Sequence, residues 1–487
     1  MSDVCLLLEG TYPFVAGGVS TWVHQLISSM EDIRFSLVCI AALPDPSRTM
    51  KYTLPSNIVD MKEIFLHDYE YESERKKGKK MKGYQVLQDF HAQLKRKSFD
   101  HLDALLPLFR EKPPAIDDQE MFFSKDSWNM LSAFYEKYAK DVSFIDYFWS
   151  WRTTHLPLMN ILKASLPPAK IYHTISTGYA GLLAALAKIE TNGIVVLTEH
   201  GIYTHERMLE IVQAQWIYER QRKGFRAEKE LSYFKQWWIK LFEFMSRQAY
   251  KHADHIFTLY EGNKTRQIVD GADPLKIDII PNGINIDFYS SIPLKTDKSE
   301  IRIAFVGRVV PIKDVKTFIL SAPGVIRKFQ NAVFWIIGPQ DEETEYYKEC
   351  CQLIETLGLR ENIIFKGRMK PEDIYSQVDL VVLTSVSEAQ PYVIIEANCV
   401  GIPVVATDVG ACRELIEGRT PNDRQLGPSG MVTEVASPDK TGEAIVEILE
   451  KPSLYERMSI TGKKRVREFY NEKDLLSRYL NVYEKYL

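Results

Sequence analysis

Cysteine is scarce in this chain. There are six in 487 residues (Cys5, Cys39, Cys350, Cys351, Cys399 and Cys412), with no C-x-x-C pair among them. Most sit in apolar runs and read as reduced, buried thiols of a cytosolic protein rather than a disulfide framework. Long hydrophobic runs are missing too: no uninterrupted apolar stretch is long enough to span a bilayer, so any membrane association is expected through partners or surface helices. Met1 to Glu9 lacks a charged leader followed by a long apolar segment and reads as a first strand, not a signal peptide. Charge of one sign is nearly balanced, with Lys+Arg 61 against Asp+Glu 65 and a net charge of -4. That argues against a nucleic-acid partner, which would call for a basic surface. No G-x-G-x-x-G stands in a strand-to-helix turn, which removes the NAD-dependent dehydrogenases from consideration.

What is present is an ordinary globular composition, 45% apolar and 26% charged, in a chain too long for one domain. Short apolar runs alternate with helical stretches, which predicts an α/β protein with parallel, doubly wound sheets. We read residues 1–290 as a first Rossmann-like domain carrying a helical insertion at about 66–165. Residues 291–465 form a second Rossmann-like domain, and 466–487 a terminal helix crossing back to the first. Two such domains facing a cleft would share one site. A linker is expected between Asn285 and Ser299.

In the first half, Val4 to Leu8 and Phe35 to Ala41 read as strands, with a helix over Thr21 to Met30 and Ser20 as its N-cap. Gly17-Gly18 in the loop between them permits close backbone approach to a ligand. Within the insertion, Tyr84 to Phe109 looks helical up to Pro113-Pro114, and Trp128 to Trp151 is aromatic-rich and helical. The basic run Arg75 to Lys80 reads as a solvated loop. Farther on, Lys170 to Thr174 and Gly193 to His200 are strands, and Glu199, His200, His205, Glu206 and Arg207 crowd the end of the second. Such a density of titratable groups marks a candidate site. The His200/His205 spacing crosses a strand-to-loop junction and makes a poor metal pair. Helices are expected over Glu210 to Lys223 and Leu231 to Tyr250, with Trp216, Trp237 and Trp238 as packing residues.

In the second half, Ile301 to Val306 is a strand followed by Gly307, Arg308 and, shortly after, Lys313. Strands are expected again at Val333 to Ile337, Asn362 to Gly367, Leu380 to Leu383 and Pro403 to Ala406. Glu388 falls in the loop after Leu383. Glu396 falls on the helix that follows, with Pro391 in its first turn. Ligands of parallel sheets bind at this edge. Two cations suited to a diphosphate and two carboxylates suited to sugar and ribose hydroxyls meet the needs of a nucleotide-sugar.

Taken together, Phe305-Val-Gly-Arg-Val-Val-Pro-Ile-Lys-Asp314, the spacing Glu388-x7-Glu396, Gly401-Ile-Pro-Val-Val-Ala-Thr407 and Pro281-Asn-Gly283 resemble the retaining glycosyltransferases of family four, which have the GT-B fold. Glu9 to Trp22, Thr198 to Arg207 and Ser387 to Tyr392 resemble the branch of that family serving Pel exopolysaccharide synthesis. One departure is Asn285, where many relatives carry Asp. The resemblance implies a UDP-sugar donor, UDP-glucose or a UDP-N-acetylhexosamine, a carbohydrate acceptor and no cofactor or metal. It also implies a cytoplasmic location, peripheral to an inner-membrane synthesis complex through partners. It assigns Arg308 and Lys313 to the diphosphate, Glu396 to the ribose and Glu388 to the donor sugar. Backbone amides from Gln390, Pro391, Tyr392 and Val393 are assigned to phosphate or sugar, and Arg368 and Met369 to the uracil. His200 would lie near the transferring sugar, and the Gly17-Gly18 loop near donor and acceptor. Rival readings are a UDP-sugar epimerase on the same fold and a non-catalytic scaffold subunit of a polysaccharide synthesis complex.

Overall fold

The structure, a computed structural model, describes residues 2–69, 81–96, 102–111, 114–213 and 232–487. The basic run Arg75 to Lys80, Pro113, Trp216 and the far end of the helix expected to Lys223 lie outside the described residues. The chain divides into two compact units. Unit 1 comprises residues 1–258, 264–278 and 480–487; unit 2 comprises 259–263 and 279–479.

Unit 1 is built on seven strands: β1 (Ser2–Glu9), β2 (Phe35–Ala41), β3 (Ile58–Phe65), β4 (Ala169–Thr174), β5 (Ile194–Glu199), β6 (His255–Thr258) and β7 (Ile277–Ile279). Their order across the sheet is β3-β2-β1-β4-β5-β6-β7, and the pairings from β3 to β6 are parallel. Central β1 buries Val4 to Leu8 almost completely, as a strand covered on both faces must. The strand β3 escaped the sequence reading because it is an edge. Its Val59 and Asp60 are exposed, and it carries charges that blunt an edge against pairing.

The insertion is helical: Met81–Arg96, Leu102–Arg110, Asp118–Phe123, Lys125–Tyr138 and Phe144–Lys163. The single aromatic helix expected over Trp128 to Trp151 is two. The first ends at Tyr138, and Ser143 caps the second by accepting from the Asp146 amide. Leu94, Met130, Leu158 and Leu162 share one apolar cluster with Cys5, Leu7 and Val38 of the sheet, so the insertion belongs to the core of unit 1. All six cysteines are free thiols, five of them buried.

Unit 2 has six strands: β8 (Ile301–Val306), β9 (Ala332–Ile337), β10 (Ile363–Gly367), β11 (Leu380–Leu383), β12 (Val404–Thr407) and β13 (Gly430–Thr433). Their order is β10-β9-β8-β11-β12-β13, with every pairing parallel. Apolar clusters cover this sheet. Both sheets therefore follow the doubly wound order in which strand sequence reverses beside the first strand, between β1 and β4 in unit 1 and between β8 and β11 in unit 2. Ligands of such sheets lie at that reversal, outside the carboxyl ends of the strands.

Two expected boundaries move. The chain changes unit at Ile279, ahead of the polar stretch taken as linker. Ile284 and Ile292 are buried in a cluster of unit 2, and Ile284 bridges to Asn471, so this stretch is anchored rather than free. The terminal helix also differs. Val466 lies inside a helix Pro452–Phe469, a second helix runs Glu472–Glu484, and only residues 480–487 group with unit 1. There the Tyr483 hydroxyl meets His173 Nδ1 at 2.5 Å.

Candidate functional site in unit 2

The two loops that flank the reversal in unit 2 are fastened to each other. After β8 the chain makes a short 3-10 turn, Pro311–Lys313. After β11 it runs through Thr384 to Pro391 into the helix Tyr392–Val400. The Val386 amide donates to the Ile312 carbonyl at 2.9 Å. The Thr384 hydroxyl donates to the Asp314 carbonyl at 2.8 Å. Asp314 takes a left-handed backbone, φ 45°, a conformation that Asp tolerates better than most residues. Its carboxylate then caps the following helix, accepting from the Thr317 hydroxyl at 2.6 Å.

These ties bring Lys313 against Glu388: the ammonium is ion-paired with Oε1, which also accepts from the Ser385 hydroxyl at 2.6 Å. Both side chains are largely sheltered, 19% and 10% exposed. Among the described residues Oε2 of Glu388 accepts no hydrogen bond. From the other side, the loop carrying Glu388 is pressed against Gly410. A Cβ there would lie 2.1 Å from the Glu388 carbonyl, and φ is +53°. Only glycine fits.

Glu396 is held by two tyrosines that no local pattern links to it. Tyr289 donates to Oε1 at 2.8 Å and Tyr375 to Oε2 at 2.6 Å. Burial raises the Glu396 pKa, and the two hydrogen bonds work against that rise. Each oxygen keeps a second lone pair for another donor.

Arg308 stands apart from this pair. It is 54% exposed and bonds Glu342 at 2.7 Å. Gly307 passes so close to Gly338 that a Cβ on the latter would meet the Gly307 carbonyl oxygen at 2.0 Å. Arg368 and Met369 follow β10, whose Gly367 carbonyl accepts from the Gly338 amide at 2.8 Å. Arg368 is exposed and Met369 half-buried. Gln390 is buried and its amide oxygen accepts from the Asn282 backbone at 2.6 Å, so its side chain positions the loop. Pro391 is the N-cap rather than a first-turn residue and has no amide hydrogen. Of the four positions expected to donate, only Gln390, Tyr392 and Val393 can. The first-turn amides of that helix lack intrahelical acceptors and favour an anion.

The remaining expected residues lie in unit 1. Gly17 is the N-cap of the helix Gly18–Ser28, and both glycines are exposed. Ser20, expected as the cap, is buried inside that helix; the helix starts earlier because extended Gly17 leads directly into it. His200 follows β5 and is buried with its ring edge-on to Trp22, centroids 4.7 Å apart. Burial holds its pKa down at about 4, so the ring is neutral near pH 7. Glu199 is a framework residue. It accepts from Thr177, Tyr250, Gln267 and the Tyr203 amide. His205 lies in the first turn of a helix Tyr203–Gln213, not in a loop. No group of three or more His, Cys, Asp or Glu among the described residues is placed to hold a metal ion.

Two parallel Rossmann-like sheets, each doubly wound with its strand order reversing beside its first strand, define a protein of GT-B type. The chain belongs to the family described as "Domain of unknown function (DUF3492)", matched over residues 2–275, and its residues 290–465 match "Glycosyl transferases group 1". Among curated proteins it is similar to the D-inositol 3-phosphate glycosyltransferase of Gordonia bronchialis, 26% identical over 239 residues. That match covers 46% of this chain and 50% of the relative; the chain thus spans about half the length of that curated relative. Among solved structures it is similar to Anabaena HepE in complex with UDP. The TM-score is 0.61 at 14% identity, over 99% of this chain and 100% of the other. The sucrose-phosphate synthase of Thermosynechococcus elongatus gives 0.59 at 14% identity, over 99% and 98%. Among the described residues, no helix is long and apolar enough to cross a membrane.

Proposed function

We propose that this chain is a retaining glycosyltransferase that moves a hexosyl unit from a UDP-sugar to a carbohydrate hydroxyl. The observation that carries the reading is the Lys313–Glu388 pair at the strand reversal of unit 2, with Glu396 on the next helix. Lys313 has three donors and keeps hydrogens for a phosphate oxygen while it holds Glu388. Among the described residues the Arg308 side chain is tied by one exposed ion pair, a contact worth about 0–1 kcal/mol, so a diphosphate can take Glu342's place. The vacant Oε2 of Glu388 accepts sugar hydroxyls, and Glu396 accepts the ribose hydroxyls. Solved structures of HepE with UDP and with UDP-glucose support a uridine nucleotide as donor.

In the reaction the bond from the anomeric carbon to the diphosphate oxygen breaks and negative charge grows on the departing UDP. Arg308, Lys313 and the helix amides at Tyr392 and Val393 are preorganised to receive that charge. The acceptor oxygen bonds the anomeric carbon on the same face, and its proton passes to a leaving-phosphate oxygen. No side-chain nucleophile and no metal is needed in this scheme, because the two cations serve the diphosphate. The exopolysaccharide role rests on the motif likeness to PelF, the Pel glycosyltransferase. With it come UDP-glucose or a UDP-N-acetylhexosamine as donor and a partner complex at the inner membrane.

The test is product analysis. UDP-sugars that raise the melting temperature are incubated with and without carbohydrate acceptors. Acceptor-dependent release of UDP with retained anomeric configuration is expected. Conversion of the UDP-sugar to an epimer without acceptor, or no turnover of any donor, overturns the reading.

A further inference from the structure

The helical insertion of unit 1 and the helix Tyr233–His252 flank a partly open cavity of about 140 Å³, which nothing in the donor chemistry uses. A closed cavity of about 150 Å³ holds one benzene-sized ring; this one opens to the surface, so a larger, hydroxylated ring can enter it part-way. Its walls come from the helices Met81–Arg96, Lys125–Tyr138, Phe144–Lys163 and Tyr233–His252. Trp151, Trp237, Tyr147 and Tyr233 line it, together with His91 and Lys240.

The histidine is set up as a hydrogen-bond acceptor. His155 Nδ1 lies 2.6 Å from the Trp151 carbonyl oxygen. A carbonyl can only accept, so Nδ1 carries the proton. Burial keeps His155 neutral, with its pKa at about 4, and its Nε2 is therefore bare. That nitrogen lies 3.0 Å from His91 Nε2, so His91 donates there. Burial also holds His91 neutral, which leaves its Nδ1 bare. Nδ1 has no partner among the described residues, and His91 is buried, 6% exposed as a residue. The His91 ring lies flat against Trp237, centroids 5.0 Å apart at 12°.

We propose that this cavity is a glycan subsite that takes one pyranose ring. Flat aromatic walls suit the apolar C–H face of a six-membered ring. Tyrosine hydroxyls, Ser150 and the His91 acceptor suit its rim of hydroxyls, which a purely apolar ring would leave unmatched. Lys240 is the one charged residue among the described lining residues. The proposal rests on the reading that the acceptor is a carbohydrate and places part of that acceptor in the insertion.

Tryptophan fluorescence of the whole protein is titrated with β-linked tetrasaccharides of glucose and of N-acetylglucosamine, with phenol, and with tetramethylammonium. UDP affinity is measured in parallel by calorimetry. A saturable signal with at least one saccharide is expected. Trp237→Ala should weaken that binding at least tenfold with UDP affinity unchanged. If that variant fails to fold, Ser150→Phe, at a half-buried wall position, should abolish saccharide binding without changing the melting temperature. Signals from phenol or tetramethylammonium but neither saccharide overturn the subsite, as does saccharide binding unaffected by Ser150→Phe. Loss of saccharide response with UDP binding intact sinks only this proposal, whereas absence of UDP binding sinks the donor reading.

Discussion

Tyr375 donates its hydroxyl to Glu396 Oε2 at 2.6 Å, and the phenol is 1% exposed. A buried hydrogen bond to a charged acceptor of this kind contributes about 1.5–3 kcal/mol. Tyr375→Phe is expected to lower unfolding free energy by that amount and to weaken UDP binding. Urea denaturation and calorimetry on the same preparation check both. Tyr289→Phe removes the other bond to the carboxylate and should act in the same direction.

Lys313–Glu388 and Arg308–Glu342 are both ion pairs, but only the first is sheltered. Double-mutant cycles by denaturant unfolding should therefore separate them. Coupling of about 1 kcal/mol or more is expected for Lys313 with Glu388. Less than about 1 kcal/mol is expected for Arg308 with Glu342. Equal couplings would mean that the loop ties described at the strand reversal do not shelter the first pair.

Gly410→Ala puts a methyl group 2.1 Å from the Glu388 carbonyl at a left-handed backbone position. The backbone alone costs about 1–2 kcal/mol, and the clash must move the Glu388 loop. Lower stability together with weaker UDP-sugar binding is expected from thermal melts with and without ligand. A variant as stable as the parent would show that the loop is not pressed there.

Burial holds His173 at about 3 and His200 at about 4, against about 6.5 in an unfolded chain. Below pH 6.5 the unfolded chain binds protons that the folded chain refuses, so these residues make stability fall as pH falls toward 4. Buried Glu9, Glu199 and Glu396 are pushed up and act in the opposite sense: their contribution is present at low pH and lost as pH rises. Comparison with His173→Gln cancels the carboxylates. The stability advantage of the parent over the variant should shrink by about 1.4 kcal/mol per pH unit between pH 6 and 4.5. A constant difference across that range would contradict a buried neutral His173.

Strands with continuous apolar runs were legible residue by residue: Phe35–Ala41 and Leu380–Leu383 have the bounds read from their side chains. The charged edge β3 was not, because period and burial weaken together at an edge. Lys313 and Glu388 were legible as site candidates because each follows a strand whose end could be read. Tyr289 and Tyr375 were not. They lie 107 and 21 residues from Glu396 in the chain, on separate short helices, and no local pattern joins a phenol to a carboxylate across such distances. The expected helix over Trp128 to Trp151 failed for a different reason. Aromatic density masked a break at Ala139 to Ser143, where the chain stops one helix and caps the next.

The most direct test is calorimetric titration of UDP into the parent and into Arg308→Ala, Lys313→Ala and Glu396→Ala. Tenfold or greater weakening in each variant, with melting temperature recorded alongside, is the expected result. Undiminished affinity in all three would contradict the placement of the nucleotide at the strand reversal of unit 2.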